Sequence, residues 1–333
     1  MYTPDPYRYD GRMAYRRAGR SGLLLPAISL GLWQNFGEDS SPEHCEILIR
    51  YAFDNGITSF DLANNYGPPP GAAEALMGRV LRQSLRPYRD ELFITTKAGH
   101  DMWPGPYGSW NSRKHLLSSL DQSLRRLGVD YVDAFYSHRY DPSTPLEETV
   151  GALADAVRQG KALYVGLSKY PADVAARAYD ALEELGVHCL LYQGRYNLYC
   201  RAPELDVLPQ AAARGVGFVA FSPLAQGLLT DRYLHGIPAG SRATHSPFLR
   251  PEQLTKEVLE RTAQLDALAR GRGQTLASLA LSWLLRDARV TSVIVGASST
   301  RQLGENLEAL YHTDFDEETL RRIDEIAAPP AQP

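Results

Sequence analysis

Phe60–Tyr66, FDLANNY, decides how the rest of the chain is read. Thr58, Phe60 and Leu62 alternate with Ser59, Asp61 and Ala63, the period of two that marks a buried strand. The strand ends on a carboxylate, and a phenol, Tyr66, follows five residues later. Moving outward, the next two strand-like runs, ELFITTK and YVDAFYSH, close on Lys97 and His138. Asp, Tyr, Lys and His therefore stand at the tips of three successive strands. In a parallel barrel those tips converge on one mouth, where the chemistry of such barrels is found.

Upstream, residues 13–33 hold two short runs broken at Gly19 and Gly22, which read as a β-hairpin leading into a first buried strand at Ile28–Leu32. Ser41-Pro42 supplies a helix cap and a proline at the first helical position, and Asn55-Gly56 stops that helix. Downstream, helices are expected at about 71–85 and from Ser112 to Gly128, with a Thr144–Glu147 capping box opening the next. ALYVGLS, HCLLYQ, VGFVAFS and VTSVIVG read as strands five to eight, with helices at 171–185 and 204–214 between them. The stretch 223–251 is rich in Gly, Pro, Ser and His and too long for an ordinary loop, which marks it as functional. Helices at 252–270, 274–286, around Leu303–Leu310 and at 316–327 complete the pattern, and 327–333 reads as a frayed tail.

Eight strand–helix units make the expected fold α/β, a (β/α)8 TIM barrel with an N-terminal β-hairpin and extra helices near the C-terminus. A doubly wound open sheet is the alternative, weakened because no G-x-G-x-x-G follows the first strand and no P-loop occurs. No shift in composition marks a domain boundary, so residues 1–333 are expected to form one domain.

Apolar residues make up 44% and charged residues 22% of the 333, the balance of a soluble globular protein. A net charge of −4 gives no field to gather phosphate backbones, so nucleic acid is not an expected partner. Cys45, Cys189 and Cys200 are odd in number and lack metal-ligand spacing, which points to reduced thiols in the cytoplasm. The longest mainly apolar run, 22–33, contains Pro26 and is too short to span a bilayer, so no membrane association is expected.

Taken singly, each tip residue has a structural alternative: Asp61 as a helix cap, Lys97 as a solvated charge, His138 as a hydrogen-bonded core histidine. Their joint placement points to chemistry. An ammonium beside a phenol favours the phenolate and so lowers its pKa, and a buried lysine needs a carboxylate to stay charged. Asp61, expected at the same level one strand away, would supply it. Tyr66 then reads as a general acid, with His138 orienting a carbonyl oxygen or sharing the proton. No nucleophile motif and no metal cluster is evident, so the group that attacks a carbonyl would come from a cofactor. Carbonyl reduction is the expected reaction class; a hydrolase built on Asp61 and a second carboxylate is a weaker alternative.

The motifs YRRAGRSGLLLPAISLG, FDLANNYG, TTKAG, YVDAFYSHR, YVGLSKY, FSPLAQGLL and VIVGASSTRQLGEN, in that order, resemble the aldo-keto reductase superfamily over nearly the whole chain. KAGHDMWPGPYGSWNSRKHL is most similar to the branch holding bacterial L-glyceraldehyde 3-phosphate reductases and potassium-channel β-subunits. The resemblance implies an NADPH-dependent (NADPH/NADP+) reductase of small aldehydes with a catalytic tetrad of Asp61, Tyr66, Lys97 and His138. It also implies a homo-oligomer, with a tetramer as the assembly its relatives suggest. The alternative is a regulatory subunit that senses redox state through bound NADP(H); the channel subunits carry Asn where this chain has His138, which favours the enzyme.

By the same resemblance, Leu32, Trp33 and Asp61 border the nicotinamide end, and Ser168 and Gln193 match residues that hold its carboxamide. Phe221 falls where an aromatic ring stacks, Ser222, Leu224 and Gln226 lie along the pyrophosphate, and Arg232 and Arg242 flank the phosphates. Gly296, Ser298, Gln302, Glu305 and Asn306 surround the adenosine. Lys169 departs from the Asn or Ser of many relatives, and Gln302 from an arginine found in some branches. Preference for NADPH then rests on Ser298, Arg232 and Arg242, with Arg301 as a further candidate. Ser299-x-x-Gln302 reads as a capping box that is either an anion site or a cap alone. Trp33, Tyr66, Trp103 and His138 are the expected substrate contacts, and the aromatic loop 102–110 either walls that pocket or packs on a neighbouring subunit.

Overall fold

The structure, a computed structural model, describes residues 2–246 and 248–327. Strands β1 (Tyr15–Arg17) and β2 (Leu24–Pro26) pair antiparallel as the expected hairpin. Gly19 turns that hairpin at a φ of +55° and packs so closely on the Gly215 carbonyl that any side chain would collide with it.

Eight strands follow: β3 (Ile28–Gly31), β4 (Ser59–Asp61), β5 (Phe93–Ala98), β6 (Val132–Ser137), β7 (Ala162–Ser168), β8 (Cys189–Arg195), β9 (Gly217–Phe221) and β10 (Val290–Val295). They close into a barrel in chain order, with β10 bonded in parallel to both β9 and β3. This is the (β/α)8 architecture read from the strand spacing. Around it lie α1 (Pro42–Asp54), α2 (Ala72–Val80), α3 (Arg113–Leu127), α4 (Leu146–Arg158), α5 (Ala172–Glu184) and α6 (Val207–Arg214). The long segment before β10 carries α7 (Arg242–His245), α8 (Lys256–Gly271) and α9 (Leu276–Leu285), and α10 (Thr300–Leu307) and α11 (Glu317–Ala327) follow it. The tail expected at 327–333 lies, from residue 328 on, outside the described residues.

Local chemistry sets most helix ends. Ser41, Ser112, Thr255, Thr275 and Ser299 each accept a hydrogen bond from the amide three residues ahead, and Gly128 ends α3 in the left-handed region. Three expected starts fail. The helix expected from 252 begins only at Lys256, after a short 3-10 turn at Pro251–Gln253 and the Thr255 cap. The Thr144 hydroxyl donates to Asp141 Oδ2 at 2.6 Å and caps no amide, so the Thr144–Glu147 box does not form and α4 starts one residue late, after Pro145. The helix expected from Glu204 begins only at Val207, because Glu204 is drawn to Tyr196 Oη and the Arg201 guanidinium while Asp206 caps the later start.

Alternation along the strands builds two cores. Leu30, Phe60, Ile94, Phe135, Val165, Phe218 and Val293 pack outward with Leu116, Leu120, Leu153 and Leu182 of the helices. Phe93, Ala134, Tyr136, Leu191, Val219 and Ile294 pack inward, joined by Leu25 of the hairpin. Each fully buried Leu, Ile, Val or Phe among them contributes roughly 1.5–3 kcal/mol. The hairpin thus closes the floor of the barrel and leaves the opposite end, at the strand C-termini, open for function. Strain concentrates there: Gln34, Trp110, Lys169, Ser222, Ala225 and Gln226, the non-glycine residues with positive φ among the described residues, all lie in loops that follow barrel strands.

Candidate active site

Asp61 ends β4 pointing inward, buried at 5% exposure. Its Oδ1 accepts from Thr95 Oγ1 at 2.9 Å and from Gln193 Nε2 at 2.8 Å, and its Oδ2 meets Lys97 Nζ at 2.7 Å. Lys97 is fully buried and also donates to the Leu62 carbonyl at 2.6 Å, with its last donor 3.5 Å from Tyr66 Oη. Lys97 is not at the level of Asp61, as the sequence suggested. In the register Asp61 faces Thr95, and Lys97 stands two residues nearer the mouth; the stagger of barrel strands lets the longer side chain reach back.

Tyr66 is held at the mouth by its backbone. Its amide donates to Ala63 and its carbonyl accepts from Gly71 and Ala73, which ties it to the start of α2. Its ring lies edge-on to His138 at 5.8 Å and tilted to Trp33 at 6.4 Å, with Lys97 Nζ 4.9 Å from the ring centroid. The phenol differs electrostatically from the sequence expectation: burial and then the Asp61 charge raise its pKa well above 10, so it stays protonated. The ammonium is engaged by Asp61 at closer range and does not offset them in the resting site. Burial lowers the pKa of Lys97 while Asp61 opposes the shift, as expected of a buried ion pair. His138 follows β6, donates its amide to Ala98 and is buried. Burial, then Lys169 and Lys97, depress it well below 6.5, so its imidazole is neutral, and its Nδ1 has no partner.

The four residues read from the strand tips therefore form one cluster. A model described as the Aldo/keto reductase family matches residues 27–328. The chain belongs to that family. It is 53% identical over 333 residues to an L-glyceraldehyde 3-phosphate reductase of Escherichia coli O157:H7, covering 98% of this chain and 96% of that one. The K12 strain's protein of the same name is 52% identical over the same shares. A probable voltage-gated potassium channel subunit beta of Arabidopsis thaliana is 36% identical over 305 residues, 90% of this chain and 91% of that one. Both sides of the branch seen in the sequence are thus among the relatives.

In this aldo/keto reductase the residues expected to hold a dinucleotide follow the open end of the barrel. Ser168 is buried with an unpartnered Oγ, and Asn306 is buried with an unpartnered Nδ2. Orphaned buried groups cost about 1–3 kcal/mol each, so these two atoms fit partners on a bound molecule. Gln193 is occupied differently, through its bond to Asp61. Phe221 closes β9, and Gln226 bridges Ser222 Oγ at 3.1 Å and Arg242 Nη1 at 2.9 Å, with Leu224 in the same turn. Burial, then the like charge of Arg232, lowers the pKa of Arg242, and neither arginine ion-pairs with a carboxylate among the described residues: a setting that suits phosphates. An added Cβ at Gly296 would meet nothing within 4 Å, so that side is open.

The capping box at α10 forms in half. Ser299 Oγ accepts the Gln302 amide, whereas Gln302 Oε1 takes the amide and hydroxyl of Ser298, and Glu305 pairs with Arg301 at 2.8 Å. Leu32 is buried, bonded by its amide to the Asp61 carbonyl. Trp33 packs edge-on to Phe248 at 4.8 Å. Trp103 packs against His115 at 5.0 Å, with no ring contact to Tyr66 or His138 among the described residues. Sequence reasoning passed over His100, whose ring stands edge-on to His138 at 4.5 Å, and Arg139, which lies 3.7 Å over Trp110 and donates to the Gly99 carbonyl. The stretches KAGHDMWPGPYGSWNSRKHL and YVDAFYSHR contained them; nothing in their spacing distinguished them from loop residues.

Proposed function

We propose that this protein reduces a small aldehyde, of the glyceraldehyde 3-phosphate or methylglyoxal type, with NADPH as reductant and Tyr66 as proton donor. The observation that carries this reading is the Asp61–Lys97–Tyr66 chain at the mouth of a barrel whose relatives include L-glyceraldehyde 3-phosphate reductases. A nicotinamide cofactor, when bound, supplies a hydride. Ser168 would lie at its carboxamide, Phe221 at its ring, Gln226, Arg232 and Arg242 at its phosphates, and Asn306 at its adenosine.

The chain's own groups manage the proton. Lys97 directs its donors to Asp61, the Leu62 carbonyl and Tyr66 Oη, so the Tyr66 hydroxyl accepts on that side and must donate away from it, into the mouth. As the proton passes to a carbonyl oxygen, negative charge develops on Tyr66 Oη beside a fixed ammonium. Lys97 therefore acts on the transition state more than on the resting phenol. The neutral His138 imidazole, beside the Tyr66 ring, holds the carbonyl oxygen in line.

Measuring NADPH oxidation across a panel of small aldehydes, with NADH in parallel, tests this. Turnover with NADPH exceeding that with NADH supports it, and no turnover on any aldehyde refutes it. The likeness to channel β-subunits favours a second reading, a cofactor-binding regulatory subunit, for which tight NADPH binding without turnover is the expected result.

A further inference from the structure

Lys169 follows β7 at the mouth with a φ of +57°, and its amide donates to the Gln193 carbonyl on β8. Its Nζ lies 3.5 Å from His100 Nε2 and 5.6 Å from the centre of the Phe221 ring. His100 stands edge-on to His138 at 4.5 Å, and His138 edge-on to Tyr66 at 5.8 Å. The ammonium is thus separated from the proton donor by two imidazoles, on the His138 side of the site. No carboxylate pairs with it among the described residues.

Its surroundings are cationic. Lys97, Arg139 and Arg195 all act on Lys169, and Asp61, already engaged by Lys97, is the acid that opposes them; His100 is neutral, its pKa pushed down to about 4. Although Lys169 remains accessible at the mouth, the adjoining wall and these charges bring its pKa down to about 8, which leaves it charged at neutral pH and short of a counter-ion. Arg139 is fixed by the Gly99 carbonyl, Ser109 and Trp110 and pairs at 3.7 Å with the exposed Asp101, so the unpaired cations here among the described residues are Lys169 and Arg195. A local positive field in a protein of net charge −4 is a specific feature of this mouth.

We infer that Lys169, steadied by His100, binds the anionic group of the substrate and makes the enzyme selective for phosphorylated over neutral aldehydes. The inference rests on the proposed aldehyde reduction and names the residue that reads the substrate's far end. Lys169→Met should raise KM for glyceraldehyde 3-phosphate roughly 10- to 100-fold, with kcat and the KM for unphosphorylated glyceraldehyde changed less than about twofold. Lys169→Arg should retain most of the selectivity, and the NADPH Kd, read by fluorescence, should be unchanged in both variants. An equal rise in KM for both aldehydes, or weaker NADPH binding with the charge preference intact, would overturn the assignment. Calorimetric titration of glycerol 3-phosphate into the NADP+-loaded protein separates this from the proposed reaction. If the wild type reduces no aldehyde, binding lost in Lys169→Met still supports the role of Lys169, and equal binding by both proteins overturns it.

Discussion

Asp61 faces Thr95 across the sheet, two residues below Lys97, and yet its Oδ2 lies 2.7 Å from the Lys97 ammonium. Both groups are buried, and the carboxylate's other oxygen is occupied by Thr95 and Gln193. A buried pair satisfied on all sides is costly to halve, because the remaining charge has no water to turn to. Asp61→Ala should therefore lose about 3–5 kcal/mol in urea unfolding. A loss under about 1 kcal/mol would mean that Lys97 holds no buried charge in the folded protein.

The neutral, buried His138 gives the fold a pH dependence of known sign. Its pKa is depressed in the folded state, so between that value and the unfolded value near 6.5 the unfolded chain binds one more proton. Its contribution is complete above about pH 6.5 and is lost as pH falls below it, at about 1.4 kcal/mol per pH unit. His100, depressed to about 4, adds in the same direction. Unfolding followed from pH 7.5 to 5 should show wild-type stability falling more steeply than that of His138→Asn; parallel curves would contradict the assignment of a neutral imidazole.

Gly166 on β7 packs against the ring of Tyr136, which lies 5.8 Å from Lys97 Nζ. A Cβ at this position would collide with the Tyr136 ring and crowd the Leu191 carbonyl. Gly166→Ala should cost about 1–3 kcal/mol in thermal or urea unfolding and lower turnover by displacing the ring beside Lys97. Wild-type stability and turnover in this variant would show that the barrel interior yields more readily than its packing implies.

Much of this was legible in the chain. The alternation in FDLANNY, ELFITTK and YVDAFYSH assigned both the strands and the tips that carry Asp61, Lys97 and His138, because a period of two and a terminal ionisable residue are local signals. What escaped depended on groups distant in sequence. The Thr144 cap was lost to Asp141, the stagger that places Lys97 above Asp61 belongs to barrel closure, and the direction of the Tyr66 shift depends on burial. His100 and Lys169 come together only because β5 and β7 end at the same mouth, 69 residues apart in the chain.

In the proposed reaction Tyr66 donates the proton while Lys97 steadies the charge left behind. The most direct test is Tyr66→Phe, measured for NADPH binding by fluorescence and for single-turnover reduction of glyceraldehyde 3-phosphate. An unchanged Kd is expected, with a rate lower by on the order of 10²–10⁴-fold. A rate within a few-fold of wild type, with binding intact, would contradict it.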